Sequence, residues 1–361
     1  MNASRVYNFA AGPSVLPLSV LERAGSEITN YRGSGMSVME MSHRSKVFMD
    51  IFQETQNKLR RLMNVPQDYH ILFLQTGASG QFSMIPLNLI GKTGTADYAV
   101  TGNFSGLACK EARKYGQISL ACDTADRNHS YIPRQEALKR NPDASYFYYC
   151  ANNTIYGTEW DYTPETGGVP LVCDMSSNIL SMPVDVSKFG LIYAGAQKNM
   201  APAGLTVVII KEGLQGHELP YTPLMMNYKT MIDKDSMYNT PPCWCIYMLG
   251  LMLDWVEENG GPAGMEKRKR QRAGMLYDVL DSSRLFTGHA EKDSRSGMNV
   301  TFRTASEELD AKFVQEAAQA GFVNLKGHRM TGGMRASIYN AMPVEGVERL
   351  CDFIRAFEKA N

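Results

Sequence analysis

The sequence predicts an α/β fold: a large domain around a mostly parallel central sheet, then a small α+β domain. Three observations predict it. From residue 70 to residue 210, short apolar runs alternate with helical stretches, the rhythm of strand–helix units in a parallel sheet. Past Lys211 the rhythm gives way to a polar, proline-containing connection and two long helices. A strand–helix–strand–helix order then closes the chain. The 361 residues, 44% of them hydrophobic, suffice for two domains with full cores. We set the large domain at 16–258 and the small one at 1–15 together with 259–361.

The chain opens on Asn8-Phe9-Ala10-Ala11-Gly12-Pro13, a turn-rich stretch, and a helix follows over 17–31 with Pro17 in its first turn. A loop of small residues, Gly33 to Ser37, leads to Met41-Ser42-His43-Arg44. An amphipathic helix then spans 45–63, with Val47, Ile51, Leu59 and Leu62 near one face. Residues 70–74 are a strand; Gln75-Thr76-Gly77-Ala78-Ser79-Gly80 turns into a helix that runs to 89. Backbone N–H groups at such a helix start favour an anion. The stretch reads equally as a phosphate cradle or as an ordinary tight turn. It lacks the spaced third glycine of a dinucleotide fingerprint. A strand over 96–101 ends in Gly102-Asn103-Phe104-Ser105-Gly106, where a helix to 115 begins. Phe104 there offers either a π face for a flat ring or core packing. A short strand at 118–121 and a strongly aromatic one at 144–150 follow. The second leads into Asn152-Asn153-Thr154, where Thr154 can bond a ligand or cap the turn.

Two further strands end on single charged residues. Residues 169–173 close on Asp174; residues 190–194 are followed by Lys198. In an open parallel sheet, ligands bind beyond the carboxyl ends of the strands. An acid and an amine at two such ends can face one ligand. An amine that condenses with an aldehyde and an acid that keeps a ring nitrogen protonated are what pyridoxal phosphate requires. In an arbitrary α/β protein such a lysine is usually solvated and such an aspartate usually a cap, so the pair needs support from elsewhere. The strand at 205–210 leads out on the other side.

Asn239-Thr240-Pro241-Pro242 starts a helix over 243–259, which Gly260-Gly261-Pro262 ends. A helix over 263–282 carries Lys267, Arg268, Lys269, Arg270 and Arg272, which we read as a solvated face. The small domain then takes strands at 298–303 and 335–338 and helices at 307–321 and 344–358. Thirty-seven basic and 37 acidic residues balance, which argues against a nucleic-acid or anionic-membrane binder. No apolar run approaches the roughly 18 residues that span a bilayer. The first residues lack a signal peptide's apolar segment, so the expectation is a cytoplasmic protein. Seven scattered cysteines read as reduced, buried thiols, and no ligand spacing for a metal appears.

His-Arg occurs twice, as His43-Arg44 and His328-Arg329, both in loops flanked by glycine or serine. Arg335 follows in Thr331-Gly332-Gly333-Met334-Arg335. The guanidinium fork suits carboxylate and phosphate, and glycines let backbone approach a ligand. In a chain of zero net charge these loops point to anion recognition, with surface ion pairs the alternative for each taken singly.

These segments carry a resemblance. Asn8-Phe9…Gly12-Pro13, Ser37-Val38-Met39-Glu40-Met41-Ser42-His43-Arg44, Gly80-Gln81-Phe82, Tyr193 to Asn199, Pro202 to Leu205, Asn239 to Pro242 and Gly327 to Ala341 are similar to the phosphoserine aminotransferases. These belong to the class V pyridoxal-phosphate-dependent aminotransferases, of fold type I (aspartate-aminotransferase-like). The resemblance covers the chain end to end; its lysine and final arginine segments are the specific ones.

It implies pyridoxal 5'-phosphate carried on Lys198 and its pyridinium nitrogen paired with Asp174. At about 3 Å and an effective dielectric near 20 that pair is worth on the order of 5 kcal/mol. It implies Phe104 stacked on the ring, Ala78 and Ser79 as donors to the cofactor phosphate, and Thr154 and Gln197 bonded to the ring or its substituents. Asn239 and Thr240 would reach that phosphate from a second subunit, which implies a homodimer with shared sites. Arg335 would hold the substrate α-carboxylate; His43, Arg44, His328 and Arg329 would receive the distal anion. Phe104 stands where some members carry Trp, and Ser79 where some carry Arg. The implied reaction is amino transfer from L-glutamate to 3-phosphohydroxypyruvate, a serine-biosynthetic step. A phosphorylated four-carbon analogue in pyridoxine biosynthesis is the implied second substrate. A cysteine desulfurase is disfavoured: Gln197 precedes the lysine, and no cysteine lies between Cys245 and Cys351.

Overall fold

The computed structural model describes residues 5–361. Its centre is a seven-stranded sheet. In chain order the strands are β1 (Tyr69–Leu74), β2 (Thr95–Val100), β3 (Gln117–Asp123), β4 (Phe147–Cys150), β5 (Leu171–Asp174), β6 (Leu191–Gly195) and β7 (Thr206–Lys211). Their spatial order is β1-β7-β6-β5-β4-β2-β3. Only β7 runs against its neighbours. The other adjacent pairs are parallel, so the α/β reading holds. Interior strands buried on both faces read as continuous apolar runs, which is why β5, β6 and β7 were legible. The edge strand β3 is half-exposed and longer than its apolar signal of 118–121.

Alternate residues of each strand point to opposite layers. On one side Tyr98, Tyr148, Val172, Tyr193 and Val208 pack under the helices Gly77–Leu89 and Asn103–Ala112. On the other, Tyr149, Cys173, Ile192 and Val207 meet the helices Lys46–Leu62 and Cys243–Glu258. Ser45 caps the first of these by accepting from Phe48 N at 3.3 Å. Its buried face is Phe48, Ile51, Phe52, Thr55 and Leu59, which keeps helical spacing; Val47, expected on that face, points to solvent.

A third core joins Phe9 to Leu276, Phe302, Phe313, Met334, Ile354 and Phe357. It lies between a three-stranded antiparallel sheet and the helices Gly261–Ser282, Glu307–Gln319 and Val344–Ala360. The strands are β8 (Thr287–Gly288), β9 (Asn299–Arg303) and β10 (Met334–Ser337). Tyr7–Asn8 pairs in parallel with Phe322–Val323, and the chain then crosses to the large sheet, where Ser14 N donates to Gln197 O at 3.0 Å.

The charge run on the helix Gly261–Ser282 is a solvated face only in part: Lys267 and Arg270 are exposed and Arg268 is half-buried, but Lys269 and Arg272 turn inward. Lys269 and Arg272 fall in helical register with Met265 and Leu276 and are buried with them. Lys269 Nζ lies 2.6 Å from Glu159 Oε1. Glu159 also accepts from Asn178 Nδ2 at 3.2 Å and from Gly297 N at 2.9 Å, which satisfies the buried carboxylate. Arg272, 1% exposed, donates Nη1 to the carbonyls of Asn340 and Met342 at 3.1 and 2.8 Å. Burial pushes its pKa down to about 10.

Candidate active site

Parallel pairing sets the ends of β4, β5 and β6 level: Cys150 is opposite Asp174, and Asp174 opposite Tyr193. Asp174 is buried. Its Oδ1 accepts from Ser176 N at 2.8 Å, and its Oδ2 from the Tyr193 hydroxyl at 3.0 Å. Lys198 lies in the turn after β6. Its Nζ donates to Thr154 Oγ1 at 2.8 Å and stands 5.1 Å from the centre of the Phe104 ring. Burial pushes the amine's pKa below the ordinary lysine value; Asp174 and Cys150 push it back up, and Arg335 adds to the lowering.

Glycines let the surrounding backbone close on this turn. A Cβ on Gly12 would fall 3.1 Å from Lys198 Cγ, and Gly12 has φ +142°. A Cβ on Gly195 would meet Ala78 Cβ at 3.2 Å, so the start of the helix Gly77–Leu89 abuts the lysine turn. No side chain caps that start. Its first N–H groups, with Ala78 half-buried and Ser79 exposed, stay open to an anion. Asn153 sits against Gly102 and donates to Thr101 Oγ1 at 3.1 Å and Thr158 Oγ1 at 3.0 Å, which fixes the segment that carries Thr154.

Arg335, on β10, approaches from the small sheet. Its Nη1 lies 3.5 Å from Thr154 O, and its Nε is buried without a partner. Beside it, Gly327 closes a loop on Gly332 and Gly333, where a Cβ would collide with Gly332 O at 1.9 Å. That loop presents His328 and Arg329. His328 is held below the usual histidine range by burial, then by the charges of Arg335 and Arg329. The structure therefore gathers Lys198, Asp174, Thr154, Phe104, Gln197, Ala78, Ser79, Arg335 and His328 around the strand ends, with Arg329 on the same loop.

Other expected residues lie apart within one chain. His43 and Arg44 occupy the turn before the helix Lys46–Leu62, one half-buried and one exposed. Asn239 and Thr240 are exposed near the end of β1, where Gln75 Nε2 donates to Thr240 O. A large cleft lies elsewhere, beside β3; Arg127 there already pairs with Glu291 at 2.8 Å. Sequence reasoning missed Ser176, Asn153, Tyr148 and Tyr193. The aromatic pattern of 144–150 was the available signal for Tyr148.

The gathered groups fit pyridoxal phosphate. The amine has no carboxylate in its own hydrogen-bond set, the helix start is uncapped, and a buried guanidinium nitrogen has no partner. Among the described residues no cluster of three or more His, Cys, Asp or Glu could hold a metal ion.

The family model described as Aminotransferase class-V matches residues 6–350. The phosphoserine aminotransferase of Laribacter hongkongensis (strain HLHK9) is 52% identical over 358 residues, 99% of each chain. Among solved structures, the phosphoserine aminotransferase of Bacillus circulans subsp. alkalophilus superposes with TM-score 0.97 at 46% identity, covering 99% of both chains. The PLP-bound phosphoserine aminotransferase of Trichomonas vaginalis gives 0.94 at 40% identity, over 97% of this chain and 100% of that one.

Proposed function

Because this chain belongs to the class-V aminotransferases and is a pyridoxal-phosphate-dependent aminotransferase, we propose that it moves the amino group of L-glutamate to 3-phosphohydroxypyruvate. The products are 2-oxoglutarate and O-phospho-L-serine, formed by a ping-pong route. The observation that carries the reading is Arg335: a half-buried guanidinium beside His328 and the Lys198 amine, with one nitrogen unpartnered. Glutamate and the phosphorylated keto acid both carry an α-carboxylate with a second anion a few bonds away. One cationic cluster therefore serves both half-reactions.

When bound, pyridoxal phosphate supplies the aldehyde that captures the donor's nitrogen and the ring that accepts electrons from its Cα–H bond. Lys198 holds the cofactor covalently in the resting enzyme and later moves the proton at Cα. Its lowered pKa keeps more of the amine neutral and able to act. Asp174 keeps the proton on the ring nitrogen. Phe104 would stack on the ring, and Thr154 and Gln197 would bond the ring or its substituents. Ala78 and Ser79 donate to the cofactor phosphate at the open helix start, joined by Asn239 and Thr240 of the partner subunit. Arg335 grips the α-carboxylate; His43, Arg44, His328 and Arg329 receive the distal anion.

The enzyme thus works as a homodimer with shared sites, in the cytoplasm, where its seven free cysteines stay reduced. The proposed division into 16–258 and 1–15 with 259–361 draws support from the separate core around Phe302 and Phe313. The same receptors would accept 3-hydroxy-2-oxo-4-phosphooxybutanoate, the pyridoxine-pathway analogue, as a secondary substrate. A coupled assay with each keto acid and L-glutamate tests the assignment. Failure to form O-phosphoserine refutes it.

A further inference from the structure

Behind Asp174 lies a row of buried tyrosines. Tyr193 OH donates to Asp174 Oδ2 at 3.0 Å, and it lies 2.8 Å from Tyr148 OH. Both side chains are fully buried. A carboxylate is the stronger acceptor, so the Tyr193 proton points to Asp174 and the Tyr148 proton to Tyr193. Tyr148 is itself held by Tyr98, stacked with ring centres 4.7 Å apart. Tyr98 makes its own hydroxyl pair with Tyr146 at 2.8 Å, outside this chain of donors. Burial pushes the phenols of Tyr148 and Tyr193 well up, so both remain donors at any working pH.

We propose that Tyr193, backed by Tyr148, is a positioning residue that holds the Asp174 carboxylate aimed at the cofactor's ring nitrogen. The inference rests on the reading of Asp174 given above. Its physical basis is simple. A carboxylate that accepts hydrogen bonds is less basic. Without the Tyr193 donor, Asp174 competes harder for the shared proton and the ring draws electrons less strongly. The nitrogen that links the cofactor to Lys198 then becomes more basic. The other titratable groups around Asp174 are Lys198, Cys150 across on β4 and Cys173 beside it; burial pushes both thiols up, and Arg335 lies beyond the lysine.

The test uses the holoenzyme of four variants, Tyr193→Phe, Tyr148→Phe, Tyr98→Phe and Asp174→Asn. The pH midpoint of the bound cofactor's visible band is read beside kcat and KM for L-glutamate. A hydrogen bond to a charged acceptor changes an equilibrium by roughly tenfold, so Tyr193→Phe moves the midpoint up by about one pH unit and lowers kcat about tenfold, with KM little changed. Tyr148→Phe moves it the same way by about half as much, since it acts through one further bond. Tyr98→Phe removes an equally buried hydroxyl and leaves the midpoint in place. An unmoved midpoint in Tyr193→Phe, with Asp174→Asn shifted, overturns the tyrosine inference alone. An equal shift in Tyr98→Phe also overturns it, because core packing then explains the effect. An unmoved midpoint in Asp174→Asn overturns the reading of Asp174 itself.

Discussion

Replacing Arg335 separates binding from folding. Its Nε is buried without a partner and its Nη1 meets only the Thr154 carbonyl, at 3.5 Å. On the proposed reading, a substrate carboxylate pairs with this guanidinium. Each hydrogen bond between charged partners is worth about 1.5–3 kcal/mol. Arg335 is only half-buried, so the fork's two bonds fall near the low end, about 3–4 kcal/mol together. At about 1.4 kcal/mol per decade, Arg335→Gln lowers kcat/KM for L-glutamate by roughly a hundred- to a thousandfold. The keto acid suffers equally, because it offers the same carboxylate. Arg335→Lys keeps the charge without the fork and recovers only part of the loss. Stability moves the other way. Burial lowers the Arg335 pKa in the folded chain, so at neutral pH its charge opposes folding. Thermal denaturation of cofactor-free Arg335→Gln then shows an unchanged or higher Tm. Steady-state kinetics of both half-reactions and a melting curve decide it. A loss below about threefold in kcat/KM, or a lower Tm, refutes the reasoning.

Gly327→Ala places a Cβ 1.9 Å from Gly332 O and must displace the His328-Arg329 loop; KM for the phosphorylated keto acid rises while the cofactor's visible band is unchanged. Lys269→Ala strands Glu159 in the core and destabilises by about 3–5 kcal/mol in urea titration, whereas the double variant Lys269→Met/Glu159→Gln recovers most of it. Uptake of pyridoxal phosphate by the cofactor-free protein rises with pH as Lys198 deprotonates, with a midpoint below the ordinary lysine value of about 10.4; a midpoint at or above that value contradicts the burial of the amine. Lys198→Ala mixed with Asn239→Ala/Thr240→Ala regains activity, since a hybrid dimer contains one intact shared site. No recovery under conditions where subunits exchange argues against sharing.

The sequence was most informative where one physical requirement acts alone. β5, β6 and β7 are buried on both faces, so their apolar runs marked both the sheet and the ends that carry Asp174 and Lys198. The exposed edge strand β3 gave a weaker trace for the converse reason. Lys269 and Arg272 misled because charge composition suggests solvent; only the fold supplies Glu159 and the carbonyls of Asn340 and Met342 that make their burial tolerable. Tyr148 and Tyr193 are 45 residues apart and meet through strand order, which no local pattern reveals. Arg335 was recognised from its glycine-rich setting. Its approach from the small sheet to the Thr154 carbonyl appears only in three dimensions.

The leading segment is a tether with two anchorages. At Tyr7–Asn8 it completes an edge beside Phe322–Val323, and at Gly12 and Ser14 it presses on the backbone that carries Lys198. Any displacement of the small sheet is thereby transmitted along about half a dozen residues of chain to the reactive amine, since so short a link has little slack. Loss of residues 7–14 therefore disturbs the reactive amine and the rest of the small domain together.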